Sequence, residues 1–183
     1  MNNYLLEAEP HLDRRGFEPR VTLAQKYAWA IPTNAAIRAI VQYSPIVEVG
    51  AGTGYWAHLI AEAGGDVRAF DSQPPGRGKN SYGHRVQHFA VRRASSTVAA
   101  RYPHRTLFLC WPPYDTGMSL NAIQAYKGKH VIFIGESRYG CTATPEFHDH
   151  LEERFTQIDV VDLPQWAGIH DSLSIWRRQE GVP

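Results

Sequence analysis

The fold expected of this chain is indicated first by VEVGAGTGYW, residues 47–56. Apolar residues that read as a strand are followed by Gly50, Gly52 and Gly54, and a helix is predicted from Tyr55 onward. Glycine lets a backbone turn tightly and approach a ligand, because no Cβ stands in the way. The spacing is G-x-G-x-G, whereas dinucleotide-binding proteins carry G-x-G-x-x-G. The stretch therefore predicts a ligand-binding turn between a strand and a helix, and it disfavours a nicotinamide oxidoreductase.

Strands and helices alternate on both sides of this turn. Apolar runs predict strands over residues 46–49, 67–70, 85–89, 106–110, 130–134, 155–161 and 172–176. Helical patterns are predicted over residues 31–45, 55–63 and 119–127, with another before Tyr102 and another from Pro145. The last two strands have no helix between them and should form an antiparallel hairpin at one edge. We therefore expect an α/β fold with a mostly parallel seven-stranded sheet and helices on both faces.

Length and composition indicate one globular domain over residues 1–183, with residues 1–26 as an N-terminal extension of a core over residues 27–177. The formal net charge of +1 provides no general basic field for nucleic acid. The two cysteines, Cys110 and Cys141, favour reduced thiols and a cytoplasmic location. No signal-like segment and no run that could span a membrane is found, so no membrane partner is expected.

Two carboxylates accompany the glycine turn. Glu48 lies two residues before Gly50, and Asp71 follows the second predicted strand. A carboxylate at the end of that strand can accept hydrogen bonds from both hydroxyls of a ribose. Ligands of such sheets bind outside the carboxyl ends of the strands, near the point where the strand order reverses. The combination predicts a nucleotide-like cofactor at this edge.

The glycine turn, Glu48 and Asp71 resemble the corresponding residues of the Rossmann-like S-adenosylmethionine-dependent methyltransferases, and the resemblance covers residues 27–177. It implies that S-adenosylmethionine is the cofactor, that EVGAGTG (residues 48–54) is its loop, and that Asp71 holds its ribose. The segment AWAIPT, with Trp29 and Pro32, resembles one that packs near the methionine moiety in some of these enzymes.

The segment CWPPYD, residues 110–115, resembles the fourth motif of amino-methyltransferases, usually Asn or Asp followed by Pro, Pro and Tyr or Phe. The resemblance implies that the Pro112 carbonyl accepts a hydrogen bond from the substrate nitrogen and that Tyr114 stacks on a planar substrate. Trp111 stands where the motif has a side-chain acceptor, and an indole N–H only donates. Trp111 therefore either forms an apolar or cation–π wall for a different acceptor, or packs under the sheet edge.

Four further residues are candidates at the same edge. Glu136 follows the fifth predicted strand and would act as a base or hold a substrate cation, or else it is a solvated loop carboxylate. Trp166, His170 and Asp171 lie between the last two strands and would roof the pocket. His170 has either a substrate or proton-transfer role, or none beyond a turn.

The loop over residues 72–84, with Arg77, Lys79, Tyr82 and His84, is either a lid or a surface loop. Tyr27 and Trp29 either close the pocket or pack in the core. No metal site is expected, because His148 and His150 point to different faces of a helix and the cysteines lack ligand spacing.

Three functions remain open. The favoured one is a methyltransferase acting on a small, planar heteroaromatic or amine acceptor. The second is a nucleic-acid base N-methyltransferase, which would need a basic groove formed by Arg92, Arg93, Arg101 and Arg105. The third is a non-catalytic S-adenosylmethionine-binding protein. A homodimer that completes the pocket with a second copy also stays open.

Overall fold

The structure is a computed structural model that describes residues 2–13, 18–76, 80–84 and 86–181. Its centre is a sheet of seven strands in the order β3-β2-β1-β4-β5-β7-β6. The strands are β1 (Ile46–Val49), β2 (Val67–Asp71), β3 (Val91–Arg93), β4 (Thr106–Cys110), β5 (His130–Gly135), β6 (Phe155–Asp162) and β7 (Ser172–Arg178).

The pairing of the strands confirms the expected fold class. Strands β1 to β5 are parallel to one another, whereas β7 is antiparallel to both β5 and β6. The chain leaves β1 toward β2 on one side and later returns to its other side as β4. The strand order therefore reverses at β1, which is where a ligand crevice forms in open α/β sheets.

Among the described residues, six α-helices surround the sheet. They are α1 (Asn3–Ala8), α2 (Glu18–Lys26), α3 (Asn34–Val41), α4 (Tyr55–Glu62), α5 (Met118–Ala125) and α6 (Pro145–Arg154). Short 3₁₀ helices occupy Glu9–His11 and Ser96–Arg101. The Thr33 hydroxyl caps α3 by accepting a hydrogen bond from the Ala36 N–H at 3.1 Å.

Both faces of the sheet are covered by helices, because its central strands are apolar on both sides. Along β5, Ile132 and Ile134 pack with α3 and α4, whereas Val131 and Phe133 pack with α5 and α6. This alternation follows from the period of two in a strand. Parallel strands buried on both faces are expected to be continuously apolar, as β4 and β5 are.

The third strand is where the sequence prediction was wrong. A strand was expected over residues 85–89, but the described residues 86–89 form none, and β3 is Val91–Arg93. The His88 N–H donates a hydrogen bond to the Thr53 carbonyl at 2.8 Å, and Phe89 packs against Gly54. The segment therefore crosses over the glycine turn, and only the residues after it reach β2.

The N-terminal helices pack beside the glycine turn. Tyr4 of α1 stacks on Tyr27 with ring centroids 5.1 Å apart, and Tyr27 contacts Tyr55 of α4 at 4.8 Å. The Thr53 hydroxyl donates a hydrogen bond to the Tyr27 carbonyl. The segment around Tyr27 thus forms one wall beside the turn. Within the described residues, no helix has the length and apolar character needed to cross a membrane.

Candidate functional site

A cavity of about 240 Å³ lies at the carboxyl ends of β1, β2 and β4, at the point where the strand order reverses. Its wall combines the glycine turn with residues 71–73 at the end of β2 and residues 110–111 at the tip of β4. Tyr27 and Trp29 close one side, and Met118 at the start of α5 closes another. The structure therefore brings most of the predicted cofactor residues, namely Trp29, Glu48, Gly50, Gly52 and Asp71, to one site with the tip of β4.

The glycine turn has a backbone conformation that favours glycine. Gly50, Gly52 and Gly54 all have positive φ, at 78°, 52° and 75°. The N–H groups of Gly50 and Ala51 both donate to the Phe70 carbonyl, at 2.8 and 3.0 Å. A Cβ on Gly52 would lie 2.7 Å from the His84 ring. The turn is therefore fastened to β2 and closely covered by the loop that carries His84.

Asp71 joins two turns at the end of β2. Its Oδ2 accepts a hydrogen bond from the Gly52 N–H at 2.9 Å, and its Oδ1 accepts one from the Gln73 N–H at 2.7 Å. The residue also lines the cavity. Each carboxylate oxygen has further acceptor capacity. The side chain is therefore oriented by backbone donors and retains acceptor capacity for the hydroxyls of a ligand.

Glu48 is a buried carboxyl in the cavity wall. Its side chain is 2% exposed, and its Oε2 has no hydrogen-bond partner among the described residues. Burial, and secondarily the negative charge of Asp71, raise the pKa of Glu48 to about 8, against a hydrogen bond from the Ala57 N–H. An unpartnered buried oxygen is costly, so a donor supplied by a ligand would relieve that cost.

Trp111 is held in a fixed position at the tip of β4. Its φ of 53° is unusual for a residue with a bulky side chain. Its indole N–H donates to Asp171 Oδ1 at 2.7 Å, and its ring stacks on Trp29 with centroids 5.5 Å apart. The Arg20 guanidinium lies 4.5 Å from the same ring. Trp111 therefore joins the cavity wall, and the cation that contacts it belongs to the chain itself.

Arg20 and Asp171 lie close to this indole. Arg20 is 7% exposed, and its Nε and Nη2 donate no hydrogen bond within the described part of the chain. Burial raises the pKa of Asp171 to about 7, although the Trp111 indole and the charge of Arg20 act in the opposite direction. No local pattern indicated Arg20, which belongs to no motif and lies far before Trp111 in the chain.

The residues after Trp111 are placed differently from the motif that CWPPYD resembles. The Pro112 carbonyl, the predicted acceptor for a substrate nitrogen, accepts a hydrogen bond from the Ala143 N–H at 2.8 Å. Pro113, and not Pro112, lines the cavity. Tyr114, the predicted stacking platform, is 62% exposed and lies outside the cavity wall. The stiff strand tip thus presents Trp111 and Pro113 to the cavity.

Glu136 fixes two loops in place. It is 5% exposed, which corrects the alternative of a solvated loop carboxylate. Its Oε2 accepts from the Cys141 N–H at 2.7 Å, and its Oε1 accepts from the His170 N–H at 2.9 Å. Both oxygens are therefore engaged with backbone donors, and Glu136 lies outside the cavity wall.

Four other predicted site residues, Gly54 among them, also lie outside that wall. The side chain of His170 is exposed, and Trp166 is buried against the N-terminal aromatic cluster that includes Tyr4 and Tyr27. Pro32 is buried, and its carbonyl accepts a hydrogen bond from the Asn2 side chain at 2.6 Å. Trp29, from the same predicted segment as Pro32, is part of the wall.

Part of the loop over residues 72–84 covers the cavity. Tyr82 and His84 line it, and burial lowers the pKa of His84. Arg77 and Lys79, predicted for the same loop, lie outside the described residues. Met118 was not predicted, yet its Cε would lie 2.6 Å from a Cβ on Gly50. Only its place at the start of the helix after β4 could have indicated it.

No protein-family model and no curated protein matches this sequence, so the similarity found is to solved structures. The 1,6-didemethyltoxoflavin N1-methyltransferase of Burkholderia thailandensis, solved with 1,6-didemethyltoxoflavin and S-adenosylhomocysteine, is 18% identical, with a TM-score of 0.53 over 80% of this chain and 78% of its own. The N-methyltransferase NodS of Bradyrhizobium japonicum WM9, solved with S-adenosylhomocysteine, is 13% identical, with a TM-score of 0.51 over 98% of this chain and 100% of its own.

A third structure has a comparable similarity. Magnesium protoporphyrin IX methyltransferase from Synechocystis PCC 6803, solved with bound SAM, is 11% identical, with a TM-score of 0.51 over 80% of this chain and 77% of its own. At such identities the similarity establishes the fold. This chain has the Rossmann-like methyltransferase fold, with the antiparallel strand β7 between β5 and β6.

Proposed function

We propose that this protein is an S-adenosylmethionine-dependent methyltransferase that methylates a small, planar acceptor. The observation that carries the proposal is the cavity at the strand-order reversal, where Asp71 is oriented by the Gly52 N–H and a buried Glu48 oxygen lacks a partner. The three solved structures described above share this fold and were solved with S-adenosylmethionine or S-adenosylhomocysteine.

The residues of the cavity fit this cofactor. Asp71 carries acceptor capacity for the two ribose hydroxyls at the end of β2, where nucleotide folds place such a carboxylate. Glu48 offers its unpartnered oxygen to the ammonium of the methionine part, which would satisfy a buried acceptor and favour its ionised form. When bound, the cofactor supplies a methyl group on a positively charged sulfur. The glycines allow its close approach to the backbone.

The acceptor side of the cavity favours a flat, apolar partner. Trp29 and Trp111 form a stacked pair, and the Trp111 indole N–H is already used by Asp171. A planar acceptor can stack on such a pair, and stacking contributes about 1 kcal/mol beyond the burial of its area. The tip of β4 offers no side-chain oxygen at position 111 for an exocyclic amine, which disfavours the recognition mode of base N-methyltransferases.

Positioning is the main contribution that these residues can make to the rate. Methyl transfer is an in-line displacement. The nucleophile must therefore approach along the axis of the bond that breaks, and it must lose its hydration shell. Trp111 is fixed by its bond to Asp171 and by Arg20, and the loop with Tyr82 and His84 covers the cavity. We therefore assign orientation and exclusion of water to these side chains.

A non-catalytic S-adenosylmethionine-binding protein is the second candidate. The observation that favours it is the position of Pro112, the predicted acceptor for a substrate nitrogen, which lies outside the cavity wall with its carbonyl hydrogen-bonded to the Ala143 N–H. Tyr114 likewise lies outside the cavity wall. Under this alternative the cavity binds cofactor, and no acceptor is turned over.

Release of S-adenosylhomocysteine in the presence of heteroaromatic amines, N-heterocycles and aliphatic amines tests the proposal. We expect turnover with planar acceptors, and we expect Trp111→Ala to lower kcat/KM about tenfold because a stacking partner is lost. Tyr114→Ala is the matched control from the same segment and should stay within about twofold, since its ring lies outside the cavity. Cofactor binding without turnover of any acceptor would support the second candidate.

A further inference from the structure

A second groove, of about 710 Å³, lies at the edge of the sheet opposite to the cavity. Its wall comes from the segments that begin β4, β5 and β6 and from the end of β7, which runs antiparallel. These segments contribute residues 103–104, 127–129, 156 and 177–180. Because the four strands are neighbours about 4.8 Å apart, the groove extends roughly 14 Å along the edge.

The groove collects positive charge. Of the ten described residues that line it, Lys127, Lys129, Arg177 and Arg178 are cationic, and Glu180 is acidic. The whole chain carries a formal net charge of only +1, so this is a local concentration. Lys127, Lys129 and Arg177 are exposed, and none forms an ion pair with another described residue.

Arg178 holds the backbone that forms the groove. Its Nε donates to the Gly128 carbonyl and its Nη2 to the Tyr126 carbonyl, both at 2.9 Å. Its backbone N–H donates to the Lys129 carbonyl at 2.8 Å. The loop that presents Lys127 and Lys129 is therefore fastened to the end of β7. Cations on a fixed backbone lose less conformational entropy when an anion binds.

Two histidines beside the groove respond to its charge. The pKa of His130 is lowered by burial and then by Lys129 and Arg177, its partner across the β5–β7 pair. The pKa of His150 is lowered by burial and then by Arg154, Arg178 and Lys127, against the nearby Glu153. Both shifts agree with a positive potential at this edge.

We propose that this groove binds the phosphate groups of a nucleic-acid strand. The groove runs along four adjacent strand ends, and its cations lie at the two central ones, with Lys127 and Lys129 before β5 and Arg177 and Arg178 at the end of β7. A groove of this length, cationic at its centre, suits successive phosphates of a strand better than a single compact anion. The groove differs from the basic surface expected from the sequence, since Arg105 of that surface donates both guanidinium arms to Asp66. The proposal is independent of the cavity, because the two sites occupy opposite edges of the sheet.

Fluorescence anisotropy of a labelled single-stranded RNA of about 20 nucleotides, measured without cofactor over a series of KCl concentrations, tests this proposal. We expect wild-type affinity to fall steeply with salt. The double variant Lys129→Gln/Arg177→Gln should bind about tenfold more weakly, and its log–log salt slope should be shallower by about 1.4, or 0.7 per lost phosphate contact. The double variant Arg38→Gln/Arg92→Gln removes two exposed cations outside the groove and should bind as the wild type does.

Urea midpoints of both variants establish that each remains folded. Equal loss of affinity in the two double variants, or binding that does not change with salt, would overturn the proposal. Tripolyphosphate and polyglutamate serve as competitors for the labelled RNA. If either displaces the RNA as well as unlabelled RNA does at equal charge, the groove accepts anions in general, and its assignment to nucleic acid is wrong.

Discussion

Ionisation of the buried Glu48 carboxyl is unfavourable in the folded protein. The free energy of unfolding therefore depends on pH through this residue. Its pKa is raised to about 8, above the ordinary value of 4.5 that it regains on unfolding. A proton bound more tightly in the folded state stabilises that state, and the gain is lost as the pH rises from about 4.5 to about 8. Each pKa unit corresponds to about 1.4 kcal/mol, so the total is on the order of a few kcal/mol.

Glu48→Gln keeps the shape of the side chain and removes its titration. We expect the variant and the wild type to differ least in free energy of unfolding near pH 5. Near pH 9 the variant should be the more stable of the two, because the wild type there holds a buried carboxylate. Urea unfolding at both values of pH measures the difference. A constant difference would show that Glu48 does not titrate as its burial indicates.

Site residues that belong to a motif at the end of a strand were predictable from the sequence. Glu48, Gly50, Gly52, Asp71, Trp29 and Trp111 all line the cavity, whereas Gly54 does not. Arg20 and Met118 reach the site through tertiary packing, for which no local pattern exists. Pro112 and Tyr114 were expected there from a motif, but the turn at Trp111, with its positive φ, directs Pro113 toward the cavity.

At the scale of elements, the glycine turn and the loop that carries His84 form one unit. Gly52→Ala would place a Cβ 2.7 Å from the His84 ring, at a φ of 52°. We expect a loss of about 1–2 kcal/mol in stability from the left-handed backbone alone. Displacement of the loop should in addition weaken the binding of S-adenosylhomocysteine.

Gly64→Ala is the matched control for this change. Gly64 also has a positive φ, of 90°, but nothing lies within 4 Å of its added Cβ. It should lose similar stability in urea unfolding and keep its ligand affinity in calorimetry. If both variants bind the ligand equally well, the close cover of Gly52 by His84 plays no part in the site. Gly52→Ala/His84→Ala should recover part of the affinity, because the obstructing ring is gone.

Burial on both faces accounts for the apolar character of β4 and β5, whereas β6 is antiparallel to β7 and largely exposed. Six of the seven strands were predicted from the sequence. The exception is instructive. Residues 86–89 read as a weak strand in the sequence, yet the His88 N–H is hydrogen-bonded to the Thr53 carbonyl and Phe89 fills the space beside Gly54. The pattern that indicated a sheet instead serves packing over the glycine turn, and a local pattern cannot distinguish the two.

The whole molecule has two edges with different chemistry. The carboxyl edge of the parallel strands carries the cavity, with Asp71, Glu48 and the Trp29–Trp111 pair. The opposite edge carries the cationic groove with Lys129 and Arg177. Strand direction explains the separation, since the carboxyl ends of β1 to β5 converge on one side and the antiparallel β7 ends on the other. A cofactor and a polyanion would therefore bind without sharing residues.

Calorimetric titration with S-adenosylhomocysteine is the direct test of whether the cavity binds the methyltransferase cofactor. We expect micromolar binding by the wild type, no binding of NADH, and a loss of at least about tenfold in affinity for Asp71→Ala, because hydrogen bonds to a charged group contribute about 1.5–3 kcal/mol. Asp162→Ala, at an exposed position of β6, should bind as the wild type does. Failure of the wild type to bind, or an affinity unchanged by Asp71→Ala, would contradict the assignment of the cavity.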